Sequence, residues 1–388
     1  TTDGSPPGLE DSIYTKAILV QENTVLRANL WTDGFEPGAI STASYIINEP
    51  FTLPVVSVSS DPYNLWDDMD GIYVEGSNGQ TGRCMDIPVN WTMDWERPLS
   101  FEYFDLSGER KIQIDGGTKI HGGCSRTNPM KSLAFFARSK YGNNRIEYPF
   151  FSQKELDSFK GLILRNSGND FQYTLLRDAM IQAVVCPVMD LDEQAYEPVQ
   201  VFLNGEYWGI HNLREKVNEY WVESNYDIPV ENLDFIKNWG EVFAGNRDGL
   251  DSLNAFLWEN ELVSDANFQQ VASWVDLESY TDYLMTQLFF ANRDWPGNNQ
   301  KYWRDRVKGS KWRFILFDLD FTMGIYDFDP SIDMLSFATV PDNEEWPNPA
   351  WATLLIRRLL ENEGYKDQFV KKYLVHLNTT FEPMRVNH

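Results

Sequence analysis

The sequence predicts an α+β fold, in which a two-lobed domain over residues 51–388 follows a small β unit over 1–48. Three observations point there. Strand-like alternation crowds the first half of the chain, helical periodicity rises in the second, and no internal repeat or low-complexity tract interrupts 51–388. One two-lobed domain accounts for that texture more simply than two independent ones, and a chain of this length can bury a large core.

Taken in order, residues 12–48 read as three short strands, with alternation in "TVLRANLW", a turn at "DGFEPG", and a strand through "STASYII". Strand patterns follow at 54–59, 99–104, 111–120, 132–138, 161–165, 197–203 and 207–213. The last two meet at Asn204-Gly205, a dipeptide that accepts the positive φ angles of a tight hairpin turn. "GNDFQYTLLRDAMIQAVV" predicts a helix over 169–185 with Asn169 or Asp170 near its cap, and "LESYTDYLMTQLFFANR" predicts another. Strands at 301–307 and 312–317 complete the pattern.

Composition narrows the function classes. Against 33 Lys plus Arg stand 58 Asp plus Glu, a net charge of −25, which repels phosphate backbones and excludes nucleic acid as the expected partner. A nucleotide would need local cations and a metal. The acidity, spread along the chain, suits an extracellular, periplasmic or cell-surface protein. No apolar run reaches the length of a membrane span, and the start, "TTDGSPPG", lacks both Met and a signal pattern, so any signal sequence is expected to have been trimmed. The three cysteines lack zinc spacing; they form either one disulfide, Cys84 with Cys124, or three thiols.

Three stretches could carry chemistry. "GGCSRTNPMK" sets Gly123, Ser125 and Arg126 in a glycine hairpin ahead of Lys131, where backbone N–H groups and an ammonium can approach phosphate. An ordinary β-turn with an outward lysine explains the same residues. Glu215, beside Lys216, reads on composition as half of a surface pair. "ANRDWPGNN" places Asp294 and Asn299 in the Asp-x4-Asn spacing of a kinase catalytic loop, and "FILFDLD" delivers Asp318 and Asp320 from an apolar strand. That chemistry asks for an anionic acceptor aimed at a hydroxyl proton and for oxygen ligands to Mg²⁺. The competing reading has Asp294 capping the Pro296-Gly297 turn.

Six segments in order, "LPVVSVSSD", "GGCSRTNPMKSLAFF", "LILRNSGND…LLRDAM", "VFLNGEYWGIHNLREKVNEYWV", "NRDWPGNN" and "KWRFILFDLDFTMG", resemble the CotH-type kinases, a family named for a spore coat protein, from about residue 51 to 381. The resemblance implies an atypical protein-kinase-like fold using ATP with Mg²⁺, or Mn²⁺ in its place, to phosphorylate Ser or Thr of a protein substrate. It implies that Lys131 contacts the phosphates beneath Gly123, Ser125 and Arg126, and that Glu215 marks the hinge near the adenine. Asp294 would orient the acceptor hydroxyl, Asn299 and Asp318 would hold the metal, and Asp320 is a second metal candidate. Which acid, Asp170 or Asp178, meets Lys131 stays open. Met130 departs from the pattern, standing where relatives often carry a second basic residue. Residues 12–48 resemble part of a chitobiase/fibronectin-III-associated repeat, which keeps a rival in view: a catalytically inactive kinase-fold module that binds surface glycan or a protein.

Overall fold

The computed structural model describes residues 1–82, 84–327, 329, 331–341, 343 and 346–386. Helices and sheets are mixed, and the chain divides into two compact units: Thr1–Phe171 with Ala195–Lys216, and Gln172–Gln194 with Val217–His388.

The first unit is built on a closed barrel of seven strands. Going round, Gly161–Arg165 pairs with Glu206–Glu215, which pairs with Tyr196–Leu203, then Val55–Ser59, Arg97–Phe104, Arg110–His121 and Ser132–Phe136, which returns to Gly161–Arg165. Only Tyr196–Leu203 with Val55–Ser59 is parallel among these pairs. The interior is filled by inward-facing apolar side chains such as Val56, Val58, Phe101, Phe135, Leu162 and Leu213, with the Phe101 and Phe135 rings stacked at 5.1 Å. Closure leaves no strand edge to satisfy. Asn204 (φ 50°) and Gly205 (φ 86°) form the hairpin turn expected between the last two strands.

A separate two-stranded hairpin, Thr24–Ala28 with Ser41–Tyr45, belongs to the same unit. The third strand expected within 12–48 does not form: residues 12–20 pair with no strand among the described residues, and Ile13, Ile18 and Leu19 lie exposed. Alternation without a partner ladder does not make a strand.

The second unit holds a five-stranded sheet in the order Asp192–Glu193, Arg313–Leu316, Lys301–Asp305, Leu233–Lys237, Glu241–Ala244. Helix Leu277–Phe289 starts at an Asp276 cap, whose side chain accepts from Ser279 N–H. Tyr280 and Tyr283 of this helix pack on Phe314 of the sheet, with ring centroids 4.7 and 5.6 Å away. One guanidinium, Arg313, joins Asp190, Asp192 and Asp276 at 2.7–2.9 Å.

The helix expected over 169–185 is broken. Gly168–Gln172 is a short 3-10 turn, Leu175 takes a left-handed φ of 63°, and only Arg177–Val185 is α-helical. Tyr173, in the break, packs edge-on against Tyr326 at 5.9 Å. Cys84 and Cys124 form the disulfide, and Cys186 takes part in none. No helix among the described residues is long and apolar enough to cross a membrane.

Candidate functional site

In the first unit, strand Arg110–His121 runs into Gly122, whose φ of 108° suits glycine, and the chain turns through the 3-10 segment Cys124–Thr127. A Cβ at Gly122 would meet Ser125 Oγ at 2.4 Å, whereas one at Gly123 would meet nothing within 4 Å. Arg126 folds back on this turn: Nε donates to Gly122 O at 2.7 Å, and Nη1 donates to Trp91 O at 3.0 Å and Thr92 O at 3.3 Å. Ser125 O accepts from Asn128 N–H at 3.2 Å.

Lys131 is 3% exposed, and its ammonium points into the same turn. Nζ donates to Arg126 O at 2.7 Å and Asn128 O at 3.1 Å, and it lies 3.8 Å from the Trp91 ring centroid. Its backbone N–H donates to Tyr73 Oη at 2.8 Å, and its carbonyl lies 3.2 Å from His211 Nε2. Burial pulls the ammonium down to about 8. Glu75 acts on it only at longer range, and no carboxylate of its unit forms an ion pair with it among the described residues. Contact with phosphate would therefore require Lys131 to give up a carbonyl. Asp170 is fully buried in the same unit; Asp178, in the second unit, accepts from Gln182 Nε2 and Leu319 N–H, both at 3.0 Å.

Glu215 is no surface acid. It ends strand Glu206–Glu215 at 2% exposure, and its Oε2 accepts from Lys154 Nζ at 2.6 Å and Ala195 N–H at 2.9 Å.

In the second unit the two conspicuous stretches, residues 291–299 and "FILFDLDFTMG", meet. Arg293 N–H donates to Phe321 O at 3.0 Å and Met323 N–H to Phe290 O at 2.8 Å, so two backbone bonds lock the loop after helix Leu277–Phe289 to the turn after strand Arg313–Leu316. Asn292, fully buried, aligns the loop: its Nδ2 donates to Gln287 Oε1 at 2.8 Å, and its Oδ1 accepts Asp294 N–H at 3.0 Å.

Side-chain hydrogen bonds from Asn298, Asn299 and Trp346 converge on the Asp294 carboxylate. Asn298 Nδ2 donates to Oδ1 at 3.1 Å and Oδ2 at 3.0 Å, Asn299 Nδ2 to Oδ2 at 2.7 Å, and Trp346 Nε1 to Oδ1 at 2.9 Å. With its nitrogen on Asp294, the Asn299 amide turns its oxygen the other way, and that Oδ1 accepts no hydrogen bond among the described residues. Asn299 holds this pose at φ 55°, a conformation asparagine tolerates better than most residues.

Asp318 follows the strand at φ 60°, so the two-residue alternation stops at Leu316 and does not carry through to Asp320, contrary to a strand reaching 317. Asp320 is 2% exposed. No group of three or more His, Cys, Asp or Glu among the described residues could hold a metal, so a cation held by the expected residues would take the Asn299 amide oxygen together with Asp318 and Asp320. An amide oxygen with two carboxylates is a hard, all-oxygen donor set of the kind Mg²⁺ takes.

Sequence reasoning missed Asn298 as a partner of Asp294, although its place in the loop offered a signal. It also missed Trp346, for which no local signal existed.

The family model described as CotH kinase protein matches residues 118–388. No curated protein matches the chain. The match opens inside strand Arg110–His121, so barrel strands Val55–Ser59 and Arg97–Phe104 precede it. With well over half of its length matched, the chain belongs to the CotH kinase protein family.

Proposed function

We propose, from that membership, that the chain is a protein kinase that moves the γ-phosphoryl group of ATP to a Ser or Thr hydroxyl, its two units serving as the lobes of a kinase-like fold. The observation that carries the reading is the Asn299 amide, which gives its N–H to Asp294 and keeps an oxygen that accepts no hydrogen bond among the described residues. One short loop then offers an acceptor for a proton and a ligand for a cation. In the transfer, the hydroxyl donates to Asp294 while its oxygen bonds to the γ-phosphorus. The bond to the bridging oxygen breaks, ADP leaves with that electron pair, and the proton passes to Asp294.

Asn299, Asp318 and Asp320 would hold Mg²⁺, whose charge would offset that of the phosphates. In the first unit, the turn of Gly123, Ser125 and Arg126 would receive the phosphates through its backbone, with Lys131 holding its shape from below, and Glu215 would lie at the adenine edge. The Cys84–Cys124 disulfide supports an oxidising location such as the cell surface or beyond.

Lys131 also favours a second reading. All its polar groups are engaged within the fold, which suits an inactive module that binds glycan or protein. Thermal-shift titration separates the two. ATP with Mg²⁺ at a hundred times Kd should stabilise the protein by about 2.7 kcal/mol, and EDTA should remove the shift. A flat response to ATP alongside a shift on glycan would overturn the kinase reading.

A further inference from the structure

The donors on Asp294 are not equivalent. Asn298 and Asn299 belong to the same loop, within five positions, whereas Trp346 arrives from 52 positions downstream on a side chain that is 52% exposed. Its backbone is fixed: Gly297 N–H donates to Pro347 O, and a Cβ at Gly297 would stand 2.5 Å from that oxygen and 2.4 Å from Pro349 Cδ. Only glycine admits that approach. The indole, by contrast, is half exposed, and its ring lies 6.5 Å from that of Phe321. Rotation about χ1 and χ2 can lift the N–H from Oδ1 without moving the pinned backbone.

We propose that the Trp346 indole N–H occupies the place on Asp294 Oδ1 that an acceptor hydroxyl takes, making Trp346 a specificity-determining residue of the transfer. This rests on the kinase reading above. Asp294 Oδ1 already accepts from Asn298 Nδ2 and from the indole N–H, about as many hydrogen bonds as one carboxylate oxygen takes, so a hydroxyl that enters there displaces one of them, and the exposed indole is the donor free to swing into solvent. Water gains nothing from the displaced ring. A hydroxyl carried beside apolar surface can cover that ring and Phe321, so such acceptors are favoured over water, and ATP hydrolysis is suppressed. In hydrolysis, water oxygen bonds to the γ-phosphorus, the bridging bond breaks with its electron pair leaving on ADP, and the proton passes through Asp294 to solvent.

Trp346→Phe keeps a ring beside Phe321 and removes the N–H. The variant should hydrolyse Mg-ATP roughly ten- to a hundredfold faster than the wild-type chain, the worth of a lost charge-assisted hydrogen bond, with its melting temperature nearly unchanged. A rate at or below wild type would overturn the proposal and leave the indole a positioning role. A second readout needs no turnover: the indole ¹H–¹⁵N resonance that disappears in Trp346→Phe should move in Asp294→Asn. If it stays, the contact itself is wrong. If wild type shows the indole contact but no Mg-ATP thermal shift, the kinase reading falls, and this proposal with it, although the contact stands.

Discussion

The turn at 122–131 and the loop at 292–299 handle charge in opposite ways. In the turn, two cations face inward and bind five backbone carbonyls, those of Gly122, Trp91 and Thr92 through Arg126 and those of Arg126 and Asn128 through Lys131. In the loop, one carboxylate is met by the side chains of Asn298, Asn299 and Trp346. A backbone carbonyl cannot swing aside, so its partner fixes shape. A side-chain donor can rotate away, which leaves the carboxylate available to a substrate. Charge held by backbone fixes shape here, and under the proposed function charge held by side chains would serve the chemistry.

The sharpest way to break that contrast is Asp294→Asn, for which the largest effect is expected. Phosphoryl transfer should fall by roughly 10²–10⁴-fold while Mg-ATP binding survives. The melting temperature should also drop, because an amide nitrogen would face donors that now meet oxygen. Measuring both on one preparation decides: a destabilised but fully active variant would make Asp294 another shape-fixing charge.

Acid provides the next test, through His211 beneath Lys131. Burial holds its imidazole down at about 4, and Nδ1 has no hydrogen-bond partner among the described residues. Between pH 6.5 and 4 the unfolded chain therefore binds more protons than the folded one. Stability should be complete above 6.5 and fall with the pH, by up to about 3 kcal/mol from this residue. His211→Gln should flatten that part of the urea-midpoint profile; an unchanged slope would show that His211 does not titrate as buried.

Lys131→Met keeps the apolar stem under Trp91 but leaves two carbonyls without their donor, for an expected loss of about 2 kcal/mol. Chemical denaturation measures it. Full stability combined with abolished ATP affinity would reverse the assignment of this turn as structural. The smallest effect is expected from Asn299→Asp, which sets two carboxylates 2.7 Å apart and should cost about 1 kcal/mol without metal, recovered when Mg²⁺ is added. Melting curves with MgCl₂ and with EDTA should diverge more than in wild type.

Much of the architecture could be read from residues alone where local chemistry decides. Alternation found the barrel strands within one or two residues, and Asn204-Gly205 located its hairpin because few dipeptides accept two positive φ angles. Barrel closure was not legible, since pairing Gly161–Arg165 with both Ser132–Phe136 and Glu206–Glu215 depends on side-chain packing across the whole unit. The break at Leu175 was also hidden, since the helical periodicity runs through it without interruption and only the backbone shows its left-handed φ. At the candidate site, the Asp-x4-Asn spacing named both ends of a real hydrogen bond. Trp346 escaped because nothing in its own neighbourhood marks a tryptophan as the partner of an aspartate 52 residues away.

The Cys84–Cys124 link joins the hairpin Gln80–Gly82 with Met85–Val89 to the turn above Lys131, across 40 residues that include two full barrel strands. A protease that nicks the chain anywhere in that interval releases no fragment. The cut ends stay tethered and the barrel hydrogen bonds can hold the pieces in register, so the damage would show only on a reducing gel. In protease-rich surroundings such a molecule outlasts the integrity of its own backbone.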